Sequence, residues 1–228
     1  MDALLLDYNG VVVDDEPLHF ASFRDVLGAE GIPLDEAGYY ADYLGLDDRA
    51  AFREAFHRAG RPLDPAGVRR LGHRKAAAYA ALADRALVVV PGVMLFVRAA
   101  ARRARVAVVS GALRGEIETG LARAQIADAV AVIVSADDVP TTKPDPAGYR
   151  LALTRLTERY GDQGQPWHAV IVEDSLPGLA AARALGAGCL MLTTSHEPNQ
   201  LRGADLVWRD FEGHAPAELG ALWREVHA

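Results

Sequence analysis

Ala3-Leu4-Leu5-Leu6-Asp7-Tyr8-Asn9-Gly10-Val11-Val12-Val13-Asp14-Asp15-Glu16-Pro17 is the stretch that decides the fold. An unbroken apolar run is how a parallel strand buried on both faces reads, and this one ends in a carboxylate. Open α/β sheets place their chemistry at the carboxyl ends of such strands. Alternate residues of a strand share a face, so Asp7 and Asn9 can address one ligand. Asn9-Gly10 alone also reads as an ordinary turn. What recurs downstream lifts the stretch above that reading.

Beyond residue 90, strands alternate with helices. Arg105–Ser110, Ala131–Ser135, His168–Glu173, Cys189–Thr193 and Asp205–Trp208 read as strands. Leu113–Ala124, Pro146–Tyr160, Pro177–Leu185 and Pro216–Val226 read as helices, with proline near three of their starts and Gly186 just past one end. Strands separated by helices of this length form βαβ units, so the expected class is α/β with a central parallel sheet. Residues 15–86 differ: helical periodicity runs through Leu18–Ala29, Glu36–Leu44, Asp48–Ala59 and Pro65–Ala83, with no convincing strand. An all-α block between the first strand and the rest reads as an inserted cap, giving a core of 1–14 and 87–228 and a cap of 15–86. Val13–Pro17 and Leu87–Gly92 are then the hinge candidates.

The chain's 228 residues suffice for a sizeable core, and half of them are hydrophobic. Lys and Arg number 24 against 31 Asp and Glu, a net charge of −7. That argues against a nucleic-acid partner, whose phosphates need a basic face. No apolar run reaches membrane-spanning length, and the start lacks a charged-then-apolar signal pattern. The expectation is therefore a cytoplasmic monomer with no membrane partner. Cys189, the single cysteine, lies in an apolar run and reads as a small core residue.

Four apolar strands lead into loops carrying residue types suited to phosphate and magnesium. Asp7 follows the first. Val108-Val109-Ser110-Gly111 offers a hydroxyl and backbone N–H groups ahead of a helix, where anions bind. Thr141-Thr142-Lys143-Pro144-Asp145-Pro146 holds a lysine in a proline-stiffened loop, and Ile171-Val172-Glu173-Asp174-Ser175 places paired acids at a strand end. Taken singly, Ser110-Gly111 is a strand-to-helix turn, Lys143 a solvated charge and Glu173-Asp174 a helix cap. Their joint occurrence in this order, all at strand ends, points to one site.

Asp7-x-Asn9-Gly10, Ser110, Lys143-Pro144 and Glu173-Asp174-Ser175 make the chain resemble the haloacid dehalogenase superfamily over nearly its whole length. Glu16-Pro17-Leu18-His19 and Val90-Pro91-Gly92 match its entry into and return from a cap. The likeness is to the helical-cap phosphatases and phosphomutases of subfamily I, similar to β-phosphoglucomutase and phosphoglycolate phosphatase. It implies a three-layer Rossmann-like core with an inserted helical-bundle cap. It also implies that Asp7 is the nucleophile of a phosphatase, becoming an aspartyl-phosphate. Mg²⁺ would be held by Asp7, the backbone carbonyl of Asn9, and Asp174, with Glu173 assisting directly or through water; oxygen ligands suit that ion. Ser110, Gly111 and Lys143 would bind the transferring phosphoryl group, and Lys143 would also offset the charge of Asp7. The implied substrate is a small phosphorylated metabolite.

The family's phosphatases and mutases carry aspartate where this chain has Asn9. That aspartate protonates the leaving oxygen and later accepts a proton from the incoming nucleophile, and an amide does neither. Losing such a group costs roughly 10²–10⁴ in rate, or about 3–5 kcal/mol. Four explanations compete: a natural variant for substrates such as acyl phosphates, whose leaving group needs no proton; Asp15 as substitute acid; a deliberate substitution; and partial deamidation at Asn9-Gly10. In the cap, Asp15, His19, Arg49 and Lys75 are the candidate substrate residues; His19, Arg49 and Lys75 read alternatively as solvated or helix-pairing charges. Tyr43–Arg49 falls where the family places its specificity loop. β-Phosphoglucomutase has basic residues beside the glycine of this loop, Gly45 here; in this chain Leu44 and Asp48 stand there and Arg49 is displaced by one, which weakens a mutase reading. The alternatives are a β-phosphoglucomutase-like phosphotransferase, a catalytically silent phosphate-ligand binder, a dehalogenase (against which Glu173-Asp174 argues) and a phosphonate-cleaving enzyme dependent on Lys75.

Overall fold

A computed structural model describes residues 2–44, 46–161 and 166–226. Strands β1 (Asp2–Leu6) and β2 (Val13–Asp14) precede helices α1 (Glu16–Ala29), α2 (Glu36–Asp42), α3 (Asp48–Arg58) and α4 (Pro65–Ala86). Next come β3 (Val88–Val89), α5 (Val93–Ala100), β4 (Arg105–Val109), α6 (Arg114–Arg123), β5 (Val130–Val134) and α7 (Ala147–Tyr160). The chain continues through β6 (Trp167–Glu173), α8 (Leu176–Leu185), β7 (Gly188–Leu192), β8 (Leu206–Trp208) and β9 (Arg224–Val226). Two compact units result, Met1–Asp14 with Val88–Ala228, and Asp15–Leu87.

The first unit is built on a sheet ordered β5-β4-β1-β6-β7-β8, parallel throughout that path. From β1 the chain winds outward through β4 and β5, then returns to β6 on the other side. The winding therefore reverses at β1, and the carboxyl ends of β1, β4 and β6 frame the crevice where such sheets bind ligands. Ala3 to Leu6 are fully buried. Ala3 and Leu5 pack into a core with Tyr149, Leu153 and Leu156 of α7 and Leu179 and Ala182 of α8. Leu4 and Leu6, on the opposite face, are equally buried. Each buried leucine contributes about 1.5–3 kcal/mol. The α/β class with helices flanking a parallel sheet is therefore as the strand pattern requires.

Three local readings change. Pro216–Val226 is not a closing helix: a 3₁₀ segment, Pro216–Leu222, is followed by β9, antiparallel to β6. The cause is a non-local vacancy along β6, since β7 pairs only from Val170 onward while β9 takes Trp167, His168 and Ala169. Gly188 allows that return, because a Cβ there would lie 2.1 Å from the Leu222 carbonyl oxygen. Val93–Ala100, which carries no helix in the sequence reading, is α5, starting from Gly92 in the left-handed region at φ +78°. Within the two hinge candidates, Val13 and Asp14 pair antiparallel with Val89 and Val88.

The second unit is all helical. Phe23, Val26, Leu27, Tyr39, Phe52, Phe56 and Leu71 form its core. Asp35, Asp47 and Asp64 accept hydrogen bonds from the backbone N–H groups of Gly38, Ala50 and Gly67, capping α2, α3 and α4. Each cap contributes typically ~1 kcal/mol. No helix among the described residues is long and apolar enough to cross a membrane.

Candidate active site

Past β1 the backbone makes one tight turn: the N–H groups of Val11, Val12 and Val13 all reach the Tyr8 carbonyl, and Gly10 N–H donates to Val13 O at 2.7 Å. Gly10 has φ +70°, and a Cβ there would fall 1.9 Å from Asp174 Oδ2. Glycine is thus required on two counts, backbone conformation and close approach. The turn presents Asp7, 7 % exposed, at the crevice, its Oδ1 accepting from Tyr8 N–H at 2.7 Å.

Lys143 Nζ lies 2.8 Å from Asp7 Oδ1 and 2.6 Å from Glu173 Oε1, so one ammonium bridges two carboxylates from different strand ends. Glu173 is fully buried and saturated. Its Oε1 also accepts from Tyr149 Oη at 2.7 Å, and its Oε2 accepts from Ser175 Oγ at 2.9 Å and from the N–H groups of Asp174 and Ser175 at 3.2 Å. A carboxylate offers about four lone-pair sites, and these donors use them. Ser175 Oγ in turn accepts from Gly178 N–H, making Ser175, rather than either acid, the side-chain cap of α8. Gly178 has no alternative, since a Cβ would stand 1.8 Å from Glu173 Cδ.

Asp174 is 4 % exposed, and Ser195 Oγ donates to its Oδ2. Ligand atoms of Asp7, Glu173 and Asp174 all lie within 4.8 Å of one another. Burial, then repulsion from Glu173, pushes Asp7 up to about 6 against the pull of Lys143. Burial, then the charges of Asp7 and Glu173, raises Asp174 well above the ordinary range. Burial works the same way on Glu173, but Lys143 overcomes it and holds that carboxyl low. Three carboxylates thus face one ammonium, an excess of negative charge that a divalent cation neutralises. The donor set is all oxygen, as Mg²⁺ prefers. The residues therefore fit that ion.

Ser110, 5 % exposed, donates through Oγ to Asn9 Oδ1 at 3.3 Å and accepts from Ala112 N–H at 3.1 Å. That joins the ends of β1 and β4. Gly111 is exposed, in the short loop between β4 and α6, whose N-cap is Leu113.

In the helical unit, Lys75 is 1 % exposed, and its Nζ lies 3.0 Å from Asp48 Oδ1 and 2.6 Å from His19 Nδ1. It is a buried, paired cation and not a solvated charge. Asp15 is fully buried; Tyr79 Oη donates to its Oδ2, and His19 Nε2 is 3.3 Å from the same oxygen. Arg49 is exposed on α3. In the expected specificity loop, Gly45 lies outside the described residues, and Asp47 caps α3. Asp15→Ala removes the buried acceptor of the Tyr79 hydroxyl, and it is expected to cost about 1–3 kcal/mol. At roughly 2–4 °C per kcal/mol in a chain of this size, a calorimetric melt should fall by several degrees; Asp15→Asn, which keeps an acceptor oxygen, should fall less.

A sequence profile of haloacid dehalogenase-like hydrolases matches residues 1–186. The chain belongs to that family. Among relatives, this hydrolase is 30% identical over 214 residues to the validoxylamine A 7'-phosphate phosphatase of Streptomyces hygroscopicus subsp. limoneus, covering 90% of this chain and 92% of that one. It is 32% identical over 238 residues to protein CbbY of Cereibacter sphaeroides, covering 97% and 95%. Among solved structures, CbbY from Rhodobacter sphaeroides in complex with phosphate superposes with a TM-score of 0.77 at 26% identity, covering 96% of each chain. An aspartate-to-asparagine mutant of that CbbY in complex with xylulose-(1,5)-bisphosphate gives 0.80 at 26% identity, covering 96% and 99%.

Sequence reasoning about this hydrolase missed Tyr149, Gly178, Thr194 and Ser195. Tyr149 is the third residue of α7, where an aromatic reads as core. Gly178 carried a faint signal, a glycine in the first turn of a helix directly after two acids. Thr193-Thr194-Ser195-His196 carried none, since hydroxyl residues after a strand read as a turn.

Proposed function

We propose that the chain is a Mg²⁺-dependent phosphatase that hydrolyses a small sugar phosphate through an aspartyl-phosphate on Asp7, slowed by Asn9. One observation carries the reading: Lys143 bridges Asp7 and Glu173 inside a carboxylate set whose ligand atoms lie within 4.8 Å, at the strand ends where the sheet's winding reverses. The relative named as a phosphatase of validoxylamine A 7'-phosphate, and the CbbY complex with xylulose-(1,5)-bisphosphate, support the substrate class.

Asp7, Asp174 and the Asn9 carbonyl would hold Mg²⁺, which supplies charge neutralisation for the phosphoryl oxygens. Glu173, its oxygens already occupied, positions Lys143 and assists at most through water. Lys143 and Tyr8 N–H hold Oδ1 of Asp7, so Oδ2 is the attacking oxygen. It forms a bond to phosphorus as the ester P–O bond breaks, and the sugar oxygen leaves with the electron pair. Ser110 and Lys143 hold the transferring oxygens. Water then attacks phosphorus, the Asp7–phosphoryl bond breaks, and inorganic phosphate departs. Asn9 moves no proton in either step, so the leaving oxygen takes its proton from solvent and the attacking water gives its own back to solvent. Acyl phosphates, whose leaving group needs none, are the substrates least handicapped.

Asn9 also favours a second reading, a phosphate-ligand binder that turns nothing over. A panel of sugar, acyl and aryl phosphates separates the two. Mg²⁺-dependent release of inorganic phosphate that stops with a chelator is expected, fastest on acyl and aryl phosphates. Binding of phosphate with no release from any of them would establish the silent binder, and release indifferent to chelator would contradict the metal.

A further inference from the structure

The loop after β7 converges on the two places that the proposed metal site depends on. Ser195 Oγ donates to Asp174 Oδ2. Thr194 Oγ1 lies 2.6 Å from the Gly10 carbonyl oxygen and 3.4 Å from Asp174 Oδ2. A hydroxyl has one proton to give, and the shorter contact is the one to the carbonyl. His196 Nδ1 lies 3.1 Å from the Asp174 backbone oxygen. Consecutive residues thus grip Asp174 at both its carboxylate and its carbonyl, and tie it to the turn that follows Asn9. Gly10 completes the arrangement, because its missing Cβ lets Asp174 Oδ2 lie against the backbone.

We propose that Ser195 and Thr194 are positioning residues for the divalent ion, Ser195 fixing the Asp174 carboxylate through Oδ2 and Thr194 holding the backbone at Gly10, the residue directly after the Asn9 carbonyl. This rests on the Mg²⁺ site proposed above. Mg²⁺ demands near-ideal octahedral geometry, so a carboxylate free to rotate about its own axis is a poor ligand for it. Groups that orient a ligand from behind usually matter 10–100-fold in metal affinity. Such residues hold the ligand without touching the ion or the phosphate.

Calorimetric titration of Mg²⁺ into the metal-free full chain tests this without relying on turnover. Ser195→Ala is expected to bind Mg²⁺ about 10–100-fold more weakly, with Ser195→Thr, which restores the hydroxyl, close to wild type. Thr194→Val, nearly isosteric, is expected to weaken binding in the same direction and carries the test should Ser195→Ala fail to fold by circular dichroism. In turnover, raised Mg²⁺ should rescue kcat of Ser195→Ala with an unchanged KM for substrate, a split that general loss of structure does not give. Wild-type Mg²⁺ affinity in Ser195→Ala and Thr194→Val would overturn the positioning role and leave the metal site standing. Equal affinity in wild type and Asp174→Ala would overturn both.

Discussion

Asn9→Asp is expected to raise kcat/KM for a sugar phosphate by roughly 10²–10⁴-fold, the usual contribution of a general acid–base. Asn9 Oδ1 already accepts from Ser110 Oγ at 3.3 Å, and an aspartate oxygen accepts the same bond, so little need move. The new carboxyl stands, half-buried, two residues after Asp7, whose own carboxylate already shares a cluster with Glu173 and Asp174. Like charges favour its protonated form, which is the form an acid needs. The gain should depend on the leaving group: large for a sugar alkoxide, small for an aryl or acyl oxygen that departs as a stable anion. Steady-state rates on one sugar phosphate and one aryl phosphate check this. A gain equal on both would mean that the substitution acts through packing or phosphate affinity and not through proton transfer. Asp15→Asn tests the alternative of a substitute acid at Asp15: an unchanged rate on an aryl phosphate would rule that role out.

Asp7→Ala is expected to reduce turnover by at least ~10⁴-fold, because a covalent route loses its nucleophile and little remains beyond positioning and charge. Inorganic phosphate binding should survive, since Lys143 keeps its pairing with Glu173 at 2.6 Å and loses a competing carboxylate. Loss of turnover with retained phosphate affinity, read by steady-state rates and by calorimetry, separates the nucleophile from a residue that only shapes the pocket. Retention of more than about a hundredth of wild-type turnover would exceed what the non-covalent remainder supplies.

The parts of this fold legible from sequence are those fixed by local pattern. β1 and β6 are continuous apolar runs, and a strand buried on both faces has no other way to read. The helices of 15–86 announce themselves through their period. What escaped depends on partners distant in the chain. β9 exists because three residues of β6 lack a neighbour, a fact about the sheet rather than about residues 224–226. α5 was missed because V-M-L-F-V is as apolar on every side as a strand, and only the left-handed Gly92 in front of it marks a helix start. In the candidate site, Asp7, Glu173 and Asp174 stood out as charges at the ends of apolar strands, and Lys143 as a lysine in a proline-stiffened loop that occurs together with them. The groups that orient them did not. Tyr149 looks like core, Ser195 looks like a turn, and Gly178 is legible only once the Glu173 side chain is seen lying across its Cα.

Asp15, His19, Tyr79, Lys75 and Asp48 show the converse. Their spacing on α1, α3 and α4 gave no sign that they form one buried polar chain. Lys75 reads as an exposed charge in an alanine-rich helix, and burial against Phe23 and Tyr79 makes it a paired one.

The most direct measurement is peptide mass spectrometry of the full chain, acid-quenched during turnover of an aryl phosphate with Mg²⁺. The peptide holding Asp7 should gain the mass of one phosphoryl group, lost again on longer incubation and never formed with chelator or in Asp7→Ala. Phosphate release with that peptide unmodified at every quench time, or with the label on another residue, would contradict a phosphatase working through Asp7.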